Sequence, residues 1–159
     1  MTNVIEIPYN VIELYTNKGN FILSVVAIDE GTSESVKRGG ITADFNIKIS
    51  VKGISADFKC MISIGNLYAF YCQLQEKYRQ LSGEAVLKDY SEKLTNIVFG
   101  FHKTGKCKIS GYACTGAYSG NKIEFCLECD QTYINPVICS LKLLFAELAK
   151  LQGYYDFPY

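Results

Sequence analysis

The sequence predicts an α+β domain, a mostly antiparallel sheet drawn from two ββββα units with two amphipathic helices packed on it. Three observations carry that expectation. Apolar Phe45, Ile47, Ile49 and Val51 share one parity while Asp44, Asn46, Lys48, Ser50 and Lys52 take the other, which is the period of a half-buried strand. The period then changes to 3.6 at Leu67, Phe70, Tyr71, Leu74, Tyr78 and Leu81, the spacing of one helix face. Finally, the order of four strands and a helix recurs in the second half. Strands outnumber helices and connections are short, so antiparallel pairing with helices on one face is the simplest way to bury both kinds of apolar surface.

Two early strands are expected at residues 11–16 and 21–28, separated by Asn17, Lys18, Gly19 and Asn20, residue types that tolerate turn conformations. The third strand turns at Lys52-Gly53, after which Ile54, Ala56, Phe58, Cys60 and Ile62 point inward and Ser55, Asp57 and Lys59 outward. That restart makes a hairpin. The first helix should be capped by Asn66, whose side-chain oxygen can accept from first-turn amides. Gly83 can take the left-handed conformation that ends it.

Strand-like runs follow at residues 84–90, 94–101, 106–114 and 122–130. The last helix carries Ile134, Val137, Ile138, Leu141, Leu144, Phe145 and Leu148 on one stripe. Asn135 is the expected cap and Pro136 the first helical residue, where a missing amide costs nothing. Side-chain identity between the halves, about 11–83 and 84–153, is slight, so the repeat is architectural and not a solenoid. The chain reads as one domain spanning residues 1–159. Strand order, and whether eight strands form one sheet or a split one, stay open.

Composition narrows the function classes. The chain has 159 residues, 48% hydrophobic and 20% charged, enough to bury roughly 68–70% of its unfolded surface without metals or disulfides. Sixteen basic side chains balance sixteen acidic ones, for a formal net charge of +0, so attraction to nucleic acid or anionic membrane should be weak. Residues 1–10 lack a basic start followed by an apolar run, which argues against an export signal. The early apolar stretch at residues 21–28 is far short of the roughly 20 residues of a membrane helix. A cytoplasmic protein with neither nucleic-acid nor membrane partner is expected.

Enzyme signatures are absent from the sequence. There is no nucleophile elbow, no phosphate-binding glycine loop and no HExxH, and Gly39-Gly40 opens no helix. The single histidine, His102, sits beside Lys103-Thr104-Gly105 and reads as a solvated turn residue, because catalysis would need a placed partner. Seven cysteines cannot all pair within one chain, and reduced thiols, several of them on apolar faces, are the simpler reading. Cys107, Cys114, Cys126 and Cys129 have spacing reminiscent of zinc ligands, but Cys107 and Cys129 share the parity of inward residues while Cys114 and Cys126 take the other. Four sulfurs about 2.3 Å from one ion do not converge across two faces of a sheet. No metal, no cofactor and no catalytic residue are therefore assigned.

Two segments suit contacts. The loop at residues 29–40 is polar and carries Asp29, Glu30 and Glu34, which can dock on a basic partner as well as be solvated. The run at residues 153–159 concentrates tyrosine and phenylalanine, side chains that pack over a core rim or anchor a partner.

Residues 123–133 lead directly into the last helix, ending in Asp130-Gln131-Thr132-Tyr133. This resembles the signature of the WapI-type immunity proteins, in which a strand ends in Asp-Gln-Thr-Tyr before a helix. Residues 81–85, Leu-Ser-Gly-Glu-Ala, resemble that family's helix-ending glycine and following strand. Residues 105–111, Gly-Lys-Cys-Lys-Ile-Ser-Gly, resemble its glycine-bounded strand. The likeness runs from about residue 43 onward, and the chain departs from the family in having no tryptophan and no acidic excess.

What the resemblance implies is a non-enzymatic cytoplasmic protein of a bacterium that binds and neutralises the carboxy-terminal toxic domain, commonly a nuclease, of a cognate contact-delivered polymorphic toxin. On that expectation the toxin-facing candidates are Asp29, Glu30, Glu34, Asp44, Asp57, Glu124 and Glu128, opposite a nuclease's basic groups, with Tyr112 and Tyr118 as aromatic anchors. Asp130, Gln131, Thr132 and Tyr133 are expected to be structural, satisfying unpaired backbone groups where strand becomes helix. The alternatives are a small-ligand-binding α+β domain with a pocket between helices and sheet, and an enzyme centred on His102. Oligomeric state is undetermined by sequence.

Overall fold

The alternating segments of the first half form a four-stranded antiparallel meander in the order β1-β2-β3-β4, and those of the second half form another, β5-β6-β7-β8. A computed structural model describes residues 6–28, 42–89, 94–116 and 120–148. Its strands are β1 (Tyr9–Thr16), β2 (Gly19–Ile28), β3 (Thr42–Val51), β4 (Ile54–Ser63), β5 (Gly83–Lys88), β6 (Thr95–Phe101), β7 (Lys106–Cys114) and β8 (Lys122–Asp130). Helix α1 is Ile64–Gln80, a 3-10 turn spans Gln131–Tyr133, and α2 is Ile134–Leu148. The α+β class and the doubled strand-and-helix order are thus as the sequence predicts, and the open question of one sheet or two resolves into two.

Parity sets which side is buried. On β2 and β3, Phe21, Leu23, Ala43, Phe45 and Ile47 are buried, and on β6 and β7 so are Ile97, Phe99, Cys107 and Ile109. The inner faces of both sheets and both helices line one continuous core. Phe21 sits at its centre, its ring 6.4 Å from that of Phe99 and 5.9 Å from that of Phe125. The outer faces of the two sheets consequently point to different sides of the molecule.

Each helix flanks the first strand of the other half. Gln73 on α1 accepts a hydrogen bond from the Val86 amide of β5 at 2.9 Å, and Phe70 meets Phe99 at 5.3 Å. On the other side, Tyr9 of β1 donates to the Ser140 carbonyl of α2, and the Ser140 hydroxyl donates to the Asn10 carbonyl, each at 3.1 Å. The helices meet through Tyr68, Tyr71 and Phe145, with ring separations of 5.1 and 5.4 Å from Phe145. Strand edges that would otherwise present unpaired amides are covered in this way at β1 and β5.

Element ends correct several sequence expectations. Ser63, not Asn66, caps α1: its hydroxyl accepts from the Asn66 amide at 3.0 Å, so the helix starts a turn earlier than the apolar stripe suggests. Asn66 instead reaches the Asp89 carbonyl. Leu81, at φ 51°, occupies the left-handed capping position, with Gly83 also at positive φ two residues on. Helix α2 begins at Ile134 after the 3-10 turn, so Asn135 and Pro136 lie inside its first turn. Asn135 is therefore not the cap; Asp130 caps the preceding 3-10 turn, accepting from the Thr132 amide at 2.8 Å and from the Thr132 hydroxyl. The turn at Lys52-Gly53 has both residues at positive φ, the conformation of a tight hairpin that favours glycine at the second position.

Candidate functional site

The β2–β3 and β3–β4 ladders place Asn20 opposite Ser50, Ile22 opposite Lys48, Ser24 opposite Asn46, and Lys48 and Asn46 opposite Asp57 and Lys59. All point away from the core, so the outer face of the first sheet is a continuous array of small polar and charged groups around the half-buried Ile22 and Val26. Two hollows of about 530 Å³ each lie on it. One is lined by Asn20, Ile22, Lys48, Ser50, Ser55 and Asp57 among others, the second by Asn10, Ser24, Val26, Asn46, Asp57 and Lys59 among others. Part of the array is internally ordered. Ser24 donates to Asn10, and Asn10 to Glu13, each at 2.6 Å.

The toxin-facing residues expected from sequence divide between two surfaces. Asp44 and Asp57 are on this first face, with Asp44 opposite Met61 and Asp57 opposite Lys48, roughly 13 Å apart along the ladder at about 3.3 Å per residue. Lys48 is 3.9 Å from Asp57. Tyr112, Glu124 and Glu128 are on the outer face of the second sheet, which looks the other way. Asp29, Glu30, Glu34 and Tyr118 lie outside the described residues, as does the aromatic run at 153–159. Asp130 and the Gln131–Tyr133 turn form the junction between β8 and α2, with the Gln131 amide bonded to the Gly105 carbonyl at 2.8 Å.

On the second face both expected carboxylates are matched by a nearby ammonium, as Asp57 is by Lys48 on the first. Glu124 is 2.7 Å from Lys122 and Glu128 is 3.2 Å from Lys18. Those hydrogen bonds hold both carboxyls below the usual glutamate range and raise Lys122. Lys122 also stands 4.9 Å from the centre of the Tyr112 ring, a cation–π contact that occupies the expected anchor. A hollow of about 370 Å³ between Lys18, Lys106, Glu128 and Asp130 lies at this end. Such solvent-exposed pairs contribute little to stability.

The cysteines are split as their parity predicts. Cys107 and Cys129 are register partners on the inner side of the second sheet, whereas Ser110 faces Cys126 and Cys114 faces Lys122 on the outer side. All seven thiols are free. Burial, and then the Asp89 charge, pushes the Cys60 thiol up to about 12. His102 is exposed in the turn before β7, 3.1 Å from the Thr104 hydroxyl. No described helix is long and apolar enough to cross a membrane.

Selecting carboxylates alone overlooks Asn10, Asn20, Ser24, Asn46, Lys48 and Lys59, which share the outward parity of Asp44 and Asp57. The signal that finds them is the mixture of small amides, hydroxyls and both charge signs across four adjacent strands, visible only once the register is known. In comparison with known proteins, no family model matches the chain, and neither a curated protein nor a solved structure does.

Proposed function

We propose that this chain is an immunity-type protein that binds the toxic domain, of nuclease chemistry, of a cognate contact-delivered toxin in the bacterial cytoplasm and neutralises it by covering its working surface. The observation that carries the reading is the outer face of the first sheet: ordered, uncovered among the described residues, and bearing Asp44, Asp57, Lys48 and Lys59 around the apolar Ile22 and Val26. Such a mixture suits protein recognition, because desolvated apolar groups supply affinity while charges of fixed register select the partner. The resemblance of residues 81–85, 105–111 and 123–133 to WapI-type antidotes supports the same conclusion.

Size sets a condition on the complex. Four strands about 4.8 Å apart and eight to ten residues long present about 600 Å², somewhat less than the roughly 800 Å² per partner of a standard interface. The toxin must therefore reach past the four strands to adjoining chain.

Co-expression of the chain with the toxic domain encoded beside it tests the proposal. Restored growth together with a stable one-to-one interaction stoichiometry is expected. Continued growth arrest with no complex rejects it, and a thermal shift with a metabolite under those conditions redirects the assignment to a small-ligand domain.

A further inference from the structure

Strand β4 ends the first sheet: among the described residues its ladder partner is β3 alone. Its first half also stands outside the core. Ile54 is 63% exposed, and the inward-parity Ala56 and Phe58 are only half-buried although their β3 partners Ile49 and Ile47 are buried; Met61, farther along on the outward parity, is 45% exposed. An edge strand with exposed apolar side chains is a template for another strand.

We propose that β4 pairs antiparallel with β4 of a second copy of the chain, about a two-fold axis through Phe58. The charges select this register. With Phe58 on the axis, Asp57 faces the second copy's Lys59 and Lys59 faces its Asp57. Centring the pair on Asp57 or on Lys59 instead sets like charges against each other, which is destabilising for residues directly opposite. Within one copy Lys48 already faces Asp57, and Asn46 faces Lys59. The row therefore reads Lys48, Asp57, Lys59, Asn46 across the junction, with alternating sign at its centre. On the inner side Phe58 meets Phe58, and Ile54 meets Ile62. An isologous contact of this kind closes on itself and leaves no free β4 edge for further addition. It also joins two four-stranded outer faces into one of eight strands, about 1,200 Å² by the same strand spacing, without changing which face is used.

Light scattering on the purified chain across a concentration series tests this without any toxin, so it can fail independently of the proposed function. The mass should be twice 17.8 kDa. Asp57→Lys and Lys59→Asp should each be monomers with the circular dichroism of the parent chain, since both side chains are exposed. Mixed one to one, the two variants should associate, because each supplies the charge that the other lacks, and the double variant should again self-associate. A parent chain that is monomeric up to about 1 mM, or dimers indifferent to both substitutions, overturns the proposal. So does a monomer whose β4 variants instead lose toxin binding, which would assign the edge to a strand of the toxin.

Discussion

The ring of Phe21 on β2 stacks on that of Phe125 on β8, centroids 5.9 Å apart and planes 26° apart, and this contact joins the two sheets. Phe21 is fully buried and also meets Phe99 edge-on. Phe21→Ala should therefore cost about 3–5 kcal/mol, as large-to-small changes at well-packed aromatic positions do. Phe58→Ala, at a half-exposed edge, should cost well under half as much in a monomer. Urea denaturation of both variants provides the comparison; equal losses would mean that the sheets are held together elsewhere.

Capping at α1 separates two neighbouring residues. Ser63→Ala removes the acceptor of the Asn66 amide and should lower stability by about 1 kcal/mol, the usual worth of an N-cap. Asn66→Ala leaves that amide in place and removes only the long 3.5 Å contact to the Asp89 carbonyl, so its effect should be smaller. The opposite ranking in thermal melts would restore Asn66 as the cap.

The buried thiol gives a pH dependence. Cys60 is raised from 9.0 to about 12 by burial and by the Asp89 charge, so the folded state keeps its proton where the unfolded chain has lost it. Its contribution to stability is thus present below pH 9 and lost as pH rises towards 12. Native-state alkylation at pH 8 should modify the exposed Cys72, Cys126 and Cys139 long before Cys60. Early labelling of Cys60, read by peptide mass, would contradict the packing of β4 against the core.

Asp130 titrates in the other direction. Hydrogen bonds from the Thr132 hydroxyl and amide hold its carboxyl below the ordinary aspartate value. Its stabilisation is present above the unfolded value of about 3.9 and lost as pH falls through the lower folded value. Carboxyl resonances followed by NMR should show Asp130 titrating below the ordinary aspartate range. A Thr132→Val variant should move it back towards the ordinary range.

Period and punctuation make the elements readable from sequence. Strict alternation at residues 44–52 gives β3 its face, and the Lys52-Gly53 turn fixes the register of β4, because a one-residue slip would send every apolar side chain to solvent. The caps were less legible: apolar periodicity starts at Leu67, but Ser63 is placed by the end of β4, not by the stripe. Division into two sheets is a tertiary outcome, since parity is the same whether β4 and β5 pair or part. The candidate site shows the same limit. Outward residues can be assigned strand by strand, yet that Ser24 meets Asn46 while Glu124 is neutralised by Lys122 depends on register and side-chain placement.

The most direct measurement of the account compares growth rescue from the toxic domain by three forms of the chain. These are the parent, Ser24→Arg with Asn46→Arg on the first outer face, and Ser110→Arg with Cys126→Arg at a paired position on the second. Rescue is expected from the parent and from the second-face variant, and loss of rescue with at least ~100-fold weaker binding from the first-face variant. A parent chain that neither rescues growth nor forms a complex, or rescue lost only on the second face, would contradict it.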